Sequence, residues 1–212
     1  DEQKLLEKPF RNYTTEYWEK REKSPSSLLF YVGLDKRLNN LQHHNLFFDA
    51  DFDQHAKEIY DNPKWPKNPL FYLSCPSITD PSLAPKGNEN LMFLIPLAPG
   101  LEDTNEMREK YFDIVLKRLR DLTGNDIEKN IIFKKSYCVN DFEKDYNSFK
   151  GNAYGLANTL RQTAVLKPRM RNKKIKNLYY TGQLTVPGPG VPPSIISGQI
   201  AAIEIDKYLN KL

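Results

Sequence analysis

The sequence predicts a mixed α/β (α+β) fold in two parts, a sheet with helices up to about residue 150 and a strand, turn and helix after it. Three observations predict this. Apolar, β-rich runs of strand length recur at 27–34, 69–75, 89–97 and 131–138, separated by turn-rich text. The stretch 103–124 repeats its apolar residues at helical spacing. The last forty residues join a short apolar run, a Gly/Pro turn and an apolar helix without interruption.

Residues 13–23 are charged and aromatic, and the break Ser24-Pro25-Ser26-Ser27 leads into the first strand, SLLFYVGL. NLFF at 45–48 predicts a second short strand. A helix follows over 51–62, with Phe52, Ala56, Ile59 and Tyr60 sharing one face, and Pro63, Pro66 and Pro69 stop it. The runs 69–75 and 89–97 predict two strands of an antiparallel sheet, separated by the loop PSITDPSLAPKGN. In the long helix, Asp103 is the expected cap with Glu106 reaching back; Met107, Tyr111, Ile114, Val115, Leu119 and Leu122 form the apolar face. Gly124 closes it. After the strand at 131–138 the text turns polar and irregular, and the domain change is expected near Lys150.

The chain's 212 residues suffice for one large domain or two small ones. Lys and Arg number 31 against 27 Asp and Glu, a formal net charge of +4, with both signs scattered; no nucleic-acid partner is expected. The one basic cluster, 167–176, reads either as a surface for an anionic partner or as a solvated turn. Cys75 and Cys138 lack metal or disulfide spacing, so no metal is expected and a reducing cytoplasmic setting is the default. Apolar runs such as 91–98 fall far short of the roughly 20 residues that a membrane-spanning helix needs.

Asn177-Leu178-Tyr179-Tyr180-Thr181 reads as a buried strand ended by Gly182. In VPGPGVPPSIISGQIAA, Gly188 and Gly190 permit close approach of the main chain to a ligand, and Pro192 and Pro193 suit a first helical turn. Such a helix start offers free amides and a dipole to an electronegative group, although a plain loop accounts for the same residues. This motif, preceded by NLYYTG, resembles the C-terminal signature of the bacterial phytoene desaturase family, flavoproteins related to the amine oxidases. Three further blocks resemble that family in order: SPSSLLFYVGLDKRLNNLQHHNLFF, DPSLAPKGNENLMFLIPLAPGLEDT and AYGLANTLRQTAVLKPRMRNKKIKNLYYTG.

The resemblance implies a substrate-binding domain over 1–150 with an apolar tunnel for a long polyene, and over 151–212 the closing strand and helix of a Rossmann-like FAD-binding domain. It implies that Gly182 and Gln183 lie near the pyrophosphate and ribityl chain of FAD, and Gly188, Gly190, Val191 and Pro192 near the isoalloxazine. Gln183 stands where many relatives carry an acid. The implied function is FAD-dependent desaturation of phytoene or a related carotenoid, with a sister 3,4-desaturase or a polyene isomerase as alternatives. A polyene substrate implies a peripheral membrane contact, for which Lys167, Arg169, Arg171, Lys173 and Lys174 are candidates. No catalytic side chain is required, because hydride chemistry belongs to the cofactor. His43 and His44 read as structural, and His55 as an exposed helix residue. Tyr154, Leu156, Thr159 and Leu160 border the flavin or tunnel, or simply pack a loop. No GxGxxG fingerprint occurs, and the chain opens without Met, so it reads as a C-terminal fragment; the contrasting reading is a non-catalytic α+β binding module.

Overall fold

A computed structural model describes residues 2–210. Two short helices, α1 (Glu2–Leu5) and α2 (Thr15–Glu19), precede strand β1 (Ser26–Leu34). Strand β2 (His44–Phe47), helix α3 (Phe52–Tyr60), strand β3 (Phe71–Ser74) and strand β4 (Glu89–Leu97) follow. Helix α4 (Asn105–Thr123), strand β5 (Ile131–Tyr137), helix α5 (Val139–Tyr146) and helix α6 (Val191–Leu209) complete the chain. The strands form one sheet in the order β2-β3-β4-β1-β5, and every pair is antiparallel. The fold is thus mixed α/β with an antiparallel sheet, as the sequence predicts.

The alternation along β4, buried then half-buried at every step, gives the sheet two unlike faces. Phe30, Leu34, Leu73, Phe93, Ile95 and Leu97 point into the core and are fully shielded from solvent. Helix α4 covers them: the Phe112 ring lies 4.8 Å from that of Phe30 and 6.4 Å from that of Phe93. Each such residue contributes about 1.5–3 kcal/mol by leaving water. The other face is partly covered: its β4 residues are half-buried, and α5 packs on Tyr137, whose ring lies 4.9 Å from that of Phe142. Residues directly opposed in antiparallel strands share a face, so Leu46, Tyr72, Leu94, Leu29 and Tyr137 form one row across all five strands.

Three local expectations change. The cap of α4 is Thr104, whose hydroxyl accepts from Met107 N–H at 3.2 Å, while Asp103 instead grips the Arg108 guanidinium through both carboxylate oxygens, at 2.7 and 2.6 Å. The buried face of α3 is His55, Glu58 and Ile59, with Phe52 and Tyr60 exposed. Residues 177–181 make one isolated bridge, Tyr179 to Arg171, and not a strand, because no neighbouring strand among the described residues runs beside them. The closing helix α6 is present.

The N-terminal residues lie against the C-terminal part. Asn12 Nδ2 donates to Arg171 O at 3.2 Å, Arg169 N–H donates to the Tyr13 hydroxyl at 2.9 Å, and Tyr180 Oη donates to Glu2. Between sheet and C-terminal part, Ser24 N–H donates to Gly155 O at 2.9 Å, Ala153 N–H to Pro25 O at 3.1 Å and Gly100 N–H to Lys150 O at 2.7 Å.

Candidate cofactor site

A cavity of about 500 Å³ opens where these segments meet. Tyr13, Trp18 and Phe149 give it aromatic walls, Arg169 and Lys23 give it positive charge, and residues 181–185 form one side. Lys23 spans the aromatic wall: its ammonium lies 5.2 Å from the Trp18 ring centre, 4.8 Å from that of Phe149, and donates to Trp18 O at 2.8 Å. Burial pushes its pKa down to about 8, against the attraction of Glu19. Tyr180, another wall residue, is pushed up to about 12 by burial.

The turn after Thr181 is held from both ends. Thr185 N–H and its hydroxyl donate to Gly182 O at 3.0 and 2.8 Å. Gly182 N–H donates to Ser197 Oγ at 2.7 Å, and Ser197, with no exposed surface, donates in turn to Ser194 O at 2.6 Å. The hydroxyl of one buried serine therefore ties the first turns of α6 to the glycine that ends the preceding segment.

The predicted site residues separate into two groups. Gly182 and Gln183 line the cavity. Gly182 adopts φ +100°, and a Cβ there would meet nothing within 4 Å, so its backbone faces open space. Gly188, Gly190, Val191 and Pro192 stand apart from the cavity wall, at the start of α6. Gly190 is its N-cap, and Val191 and Pro192 are exposed. This helix start is poorer in donors than the sequence suggests. Pro192 and Pro193 have no N–H and Ser194 N–H is spent on Gly190 O at 3.0 Å, which leaves Val191 as the first-turn amide with no partner among the described residues. The dipole remains, but not a ring of amides.

Lys167, read in the sequence as one of a basic surface cluster, is instead buried behind Gly188. Arg171 of the same cluster stacks on the Tyr208 ring at 4.3 Å and donates to Lys176 O at 3.0 Å. Only Arg169, Lys173 and Lys174 of the five are exposed with their side chains uncommitted to hydrogen bonds among the described residues. The buried Tyr179 hydroxyl has no hydrogen-bond partner among the described residues. Tyr13, Trp18, Lys23 and Ser197 are site residues that the sequence reading did not single out. Ser197 alone left a signal, a polar residue four positions before Ala201 on the buried side of an apolar helix.

The residues present fit a flavin. The backbone at Gly182 faces free space, a cavity with aromatic walls, two cations and one carboxylate, Glu2, adjoins it, and the dipole of α6 starts outside that cavity at Gly190. His43 and His44 belong elsewhere: they stack on each other and bond to Thr79 and Tyr72 at the edge of the sheet, away from the cavity. No group of metal-ligating side chains occurs among the described residues, and no helix among them is long and apolar enough to cross a membrane.

No protein-family model matches the chain. Individual proteins do. The chain is 44% identical over 201 residues to a carotenoid 3,4-desaturase of Haloarcula japonica, an alignment covering 95% of the chain and 41% of that protein. It is 34% identical over 201 residues to a 4,4'-diapophytoene desaturase of Staphylococcus haemolyticus, covering 92% of the chain and 40% of that protein. The crystal structure of an oxidoreductase from Methanosarcina mazei shares the fold, with a TM-score of 0.52 at 13% identity over 89% of the chain and 36% of that structure. The chain thus spans about two fifths of the length of the relatives it matches. By homology along nearly its whole length, the chain belongs to the carotenoid desaturase family.

Proposed function

We propose that the protein desaturates phytoene or a related carotenoid, converting a CH2–CH2 unit to CH=CH in carotenoid biosynthesis with FAD as cofactor. The observation that carries this reading is the row Leu46, Tyr72, Leu94 and Leu29, a largely apolar strip on the half-buried face of the sheet, ended at Tyr137 by the packing of α5. Four strands at roughly 4.8 Å spacing extend it to about 14 Å, a track suited to a stiff hydrocarbon. Bound FAD would accept the hydride that leaves the substrate. Gly182 and Gln183 would hold its ribityl and pyrophosphate region, the Gln183 amide serving as donor or acceptor where an acid would only accept. Gly188, Gly190, Val191 and Pro192 would lie along its ring. The sheet within 1–150 then serves substrate binding, and 151–212, together with Tyr13, Trp18, Lys23 and Phe149, serve the cofactor.

Expression of the complete gene in a phytoene-accumulating host tests the reading. Coloured, more conjugated products are expected, and phytoene left unchanged by abundant folded protein would defeat it. Leu94→Lys, which sets a charge in the middle of the apolar row, should cut product at least tenfold while leaving the fold intact. The 44% identity to a carotenoid 3,4-desaturase favours a second reading, removal of hydrogen across C3–C4 of an already conjugated carotenoid. Product analysis with phytoene or with a conjugated, hydroxylated carotenoid separates the two.

A water-insoluble substrate also favours a cytoplasmic protein in peripheral contact with a membrane surface, with Arg169, Lys173 and Lys174 as the available cations. Vesicle sedimentation should show pelleting that grows with anionic lipid and falls when these three become Gln. Equal pelleting of both forms would remove them from the contact.

A further inference from the structure

Lys167 is a buried cation without a counter-ion. It is 5% exposed, and its ammonium meets one neutral acceptor, Asn158 Oδ1, at 3.3 Å. No carboxylate of the described residues pairs with it, whereas Lys134, Lys150 and Lys207 each pair with a glutamate. A desolvated ammonium in such a setting is unfavourable until an anion joins it. Lys167 packs against the Gly/Pro turn before α6. A Cβ at Gly188 would come within 3.3 Å of Lys167 Cε and 3.5 Å of Nζ, so glycine at 188, held at φ +146°, keeps the seat of the ammonium open. The close approach in the Gly/Pro turn is thus between main chain and lysine.

We propose that Lys167 is the charge partner of the flavin ring, a positioning residue that stabilises the negative charge the ring carries after accepting a hydride. The proposal rests on the cofactor reading above, which sets Gly188 beside the isoalloxazine. A hydride brings two electrons and one proton, so a neutral ring becomes an anion, and a fixed ammonium in a site sheltered from water favours that form over the oxidised one. Lys167 needs no proton transfer for this role. Burial lowers its pKa, and formation of the ring anion opposes that shift.

The test is the midpoint potential of the bound flavin, measured against reference dyes in the protein expressed from its complete gene. Lys167→Met should retain flavin and lower the equilibrium constant for two-electron reduction at least tenfold, which is about 30 mV for such a couple. Lys167→Arg, which keeps the charge, should stay within threefold of the wild type. A potential for Lys167→Met equal to that of the wild type would overturn the proposal. Should Lys167→Met lose its flavin, the melting temperature of the flavin-free protein decides: an unchanged or higher value supports contact with the cofactor, because an unpaired buried charge has been removed, and a fall marks Lys167 as structural and overturns the role. Absence of flavin from the wild type itself would defeat the cofactor reading, an outcome distinct from an unmoved potential.

Discussion

At the scale of single residues, His55 shows how burial decides a side chain's chemistry. It sits in a polar helix, yet it is 3% exposed, with Nε2–H donating to Pro96 O at 2.9 Å and Nδ1 accepting from Leu70 N–H at 3.1 Å. Those partners require the neutral ring, and desolvation lowers the pKa accordingly. The unfolded chain binds a proton near pH 6.5 and the folded one only at lower pH, so stability is complete above about pH 6.5 and falls as pH drops from there through the folded value. Urea unfolding at pH 7.5 and pH 5 should show this loss, and His55→Leu should flatten it. The same variant should cost about 1–3 kcal/mol at pH 7.5, since the Leu70 amide then lacks its acceptor. An unchanged pH dependence in His55→Leu would assign the loss to other groups.

At the scale of elements, α4 offers a contrast between a local cap and a long-range tie. Thr104→Ala removes one side-chain bond to a half-buried helix end and should cost about 1 kcal/mol. Asp103 is more deeply committed: its carboxylate holds Arg108, accepts from Asn140 N–H at 2.9 Å and has no exposed surface. Asp103→Ala leaves the guanidinium with Asp141, 2.8 Å away, and Ser136, but strips the Asn140 amide of its acceptor, and should cost about 1–3 kcal/mol. Urea midpoints that rank the two variants the other way would show that the tie to α5 is not formed.

The elements also show what a sequence can disclose. The strand at Glu89–Leu97 is legible to the residue because alternation along a run reports directly on a sheet with one buried face. The facing of α3 is not. Its aromatic residues suggest a core face, but Glu58 is buried, bonded to Gln54 at 2.9 Å and Lys67 N–H at 3.2 Å, and no periodicity of apolar residues foretells a satisfied carboxylate. The run 177–181 has strand composition without a strand, because a β-strand is defined by a partner and composition alone names none. Likewise Gly182 and Gln183 are legible from their turn, whereas the cavity they line takes Tyr13, Trp18 and Phe149 from segments with no spacing in common.

At the scale of the whole molecule, the apolar core is unevenly shared. Its buried cluster runs from Leu28 to Val139 and includes no later residue. Beyond Lys150 the buried hydrophobic residues are Leu156, Ala157 and Ala201, and α6 buries only Ser197 and Ala201 while Val191 and Ile195 are 74% and 63% exposed. Opening free energy follows buried apolar contact, so the C-terminal part should open far more often than the sheet. Arg161, Lys173, Lys174 and Lys176 are exposed in a stretch with almost no regular backbone pairing, and trypsin should cut there first. The products should include a resistant fragment that holds β1 to β5, because α4 and the five strands bury one another without help from later residues. Release of 161–210 should then uncover Tyr13 and Asn12, whose partners are Arg169, Arg171 and Lys173, so cleavage at Arg21 or Lys23 should follow as a second, slower event. Mass spectrometry of a time course reads both steps. A first cut inside α4 or β5 would contradict this ranking, and simultaneous loss of all fragments would mean that the C-terminal part and the sheet open as one unit.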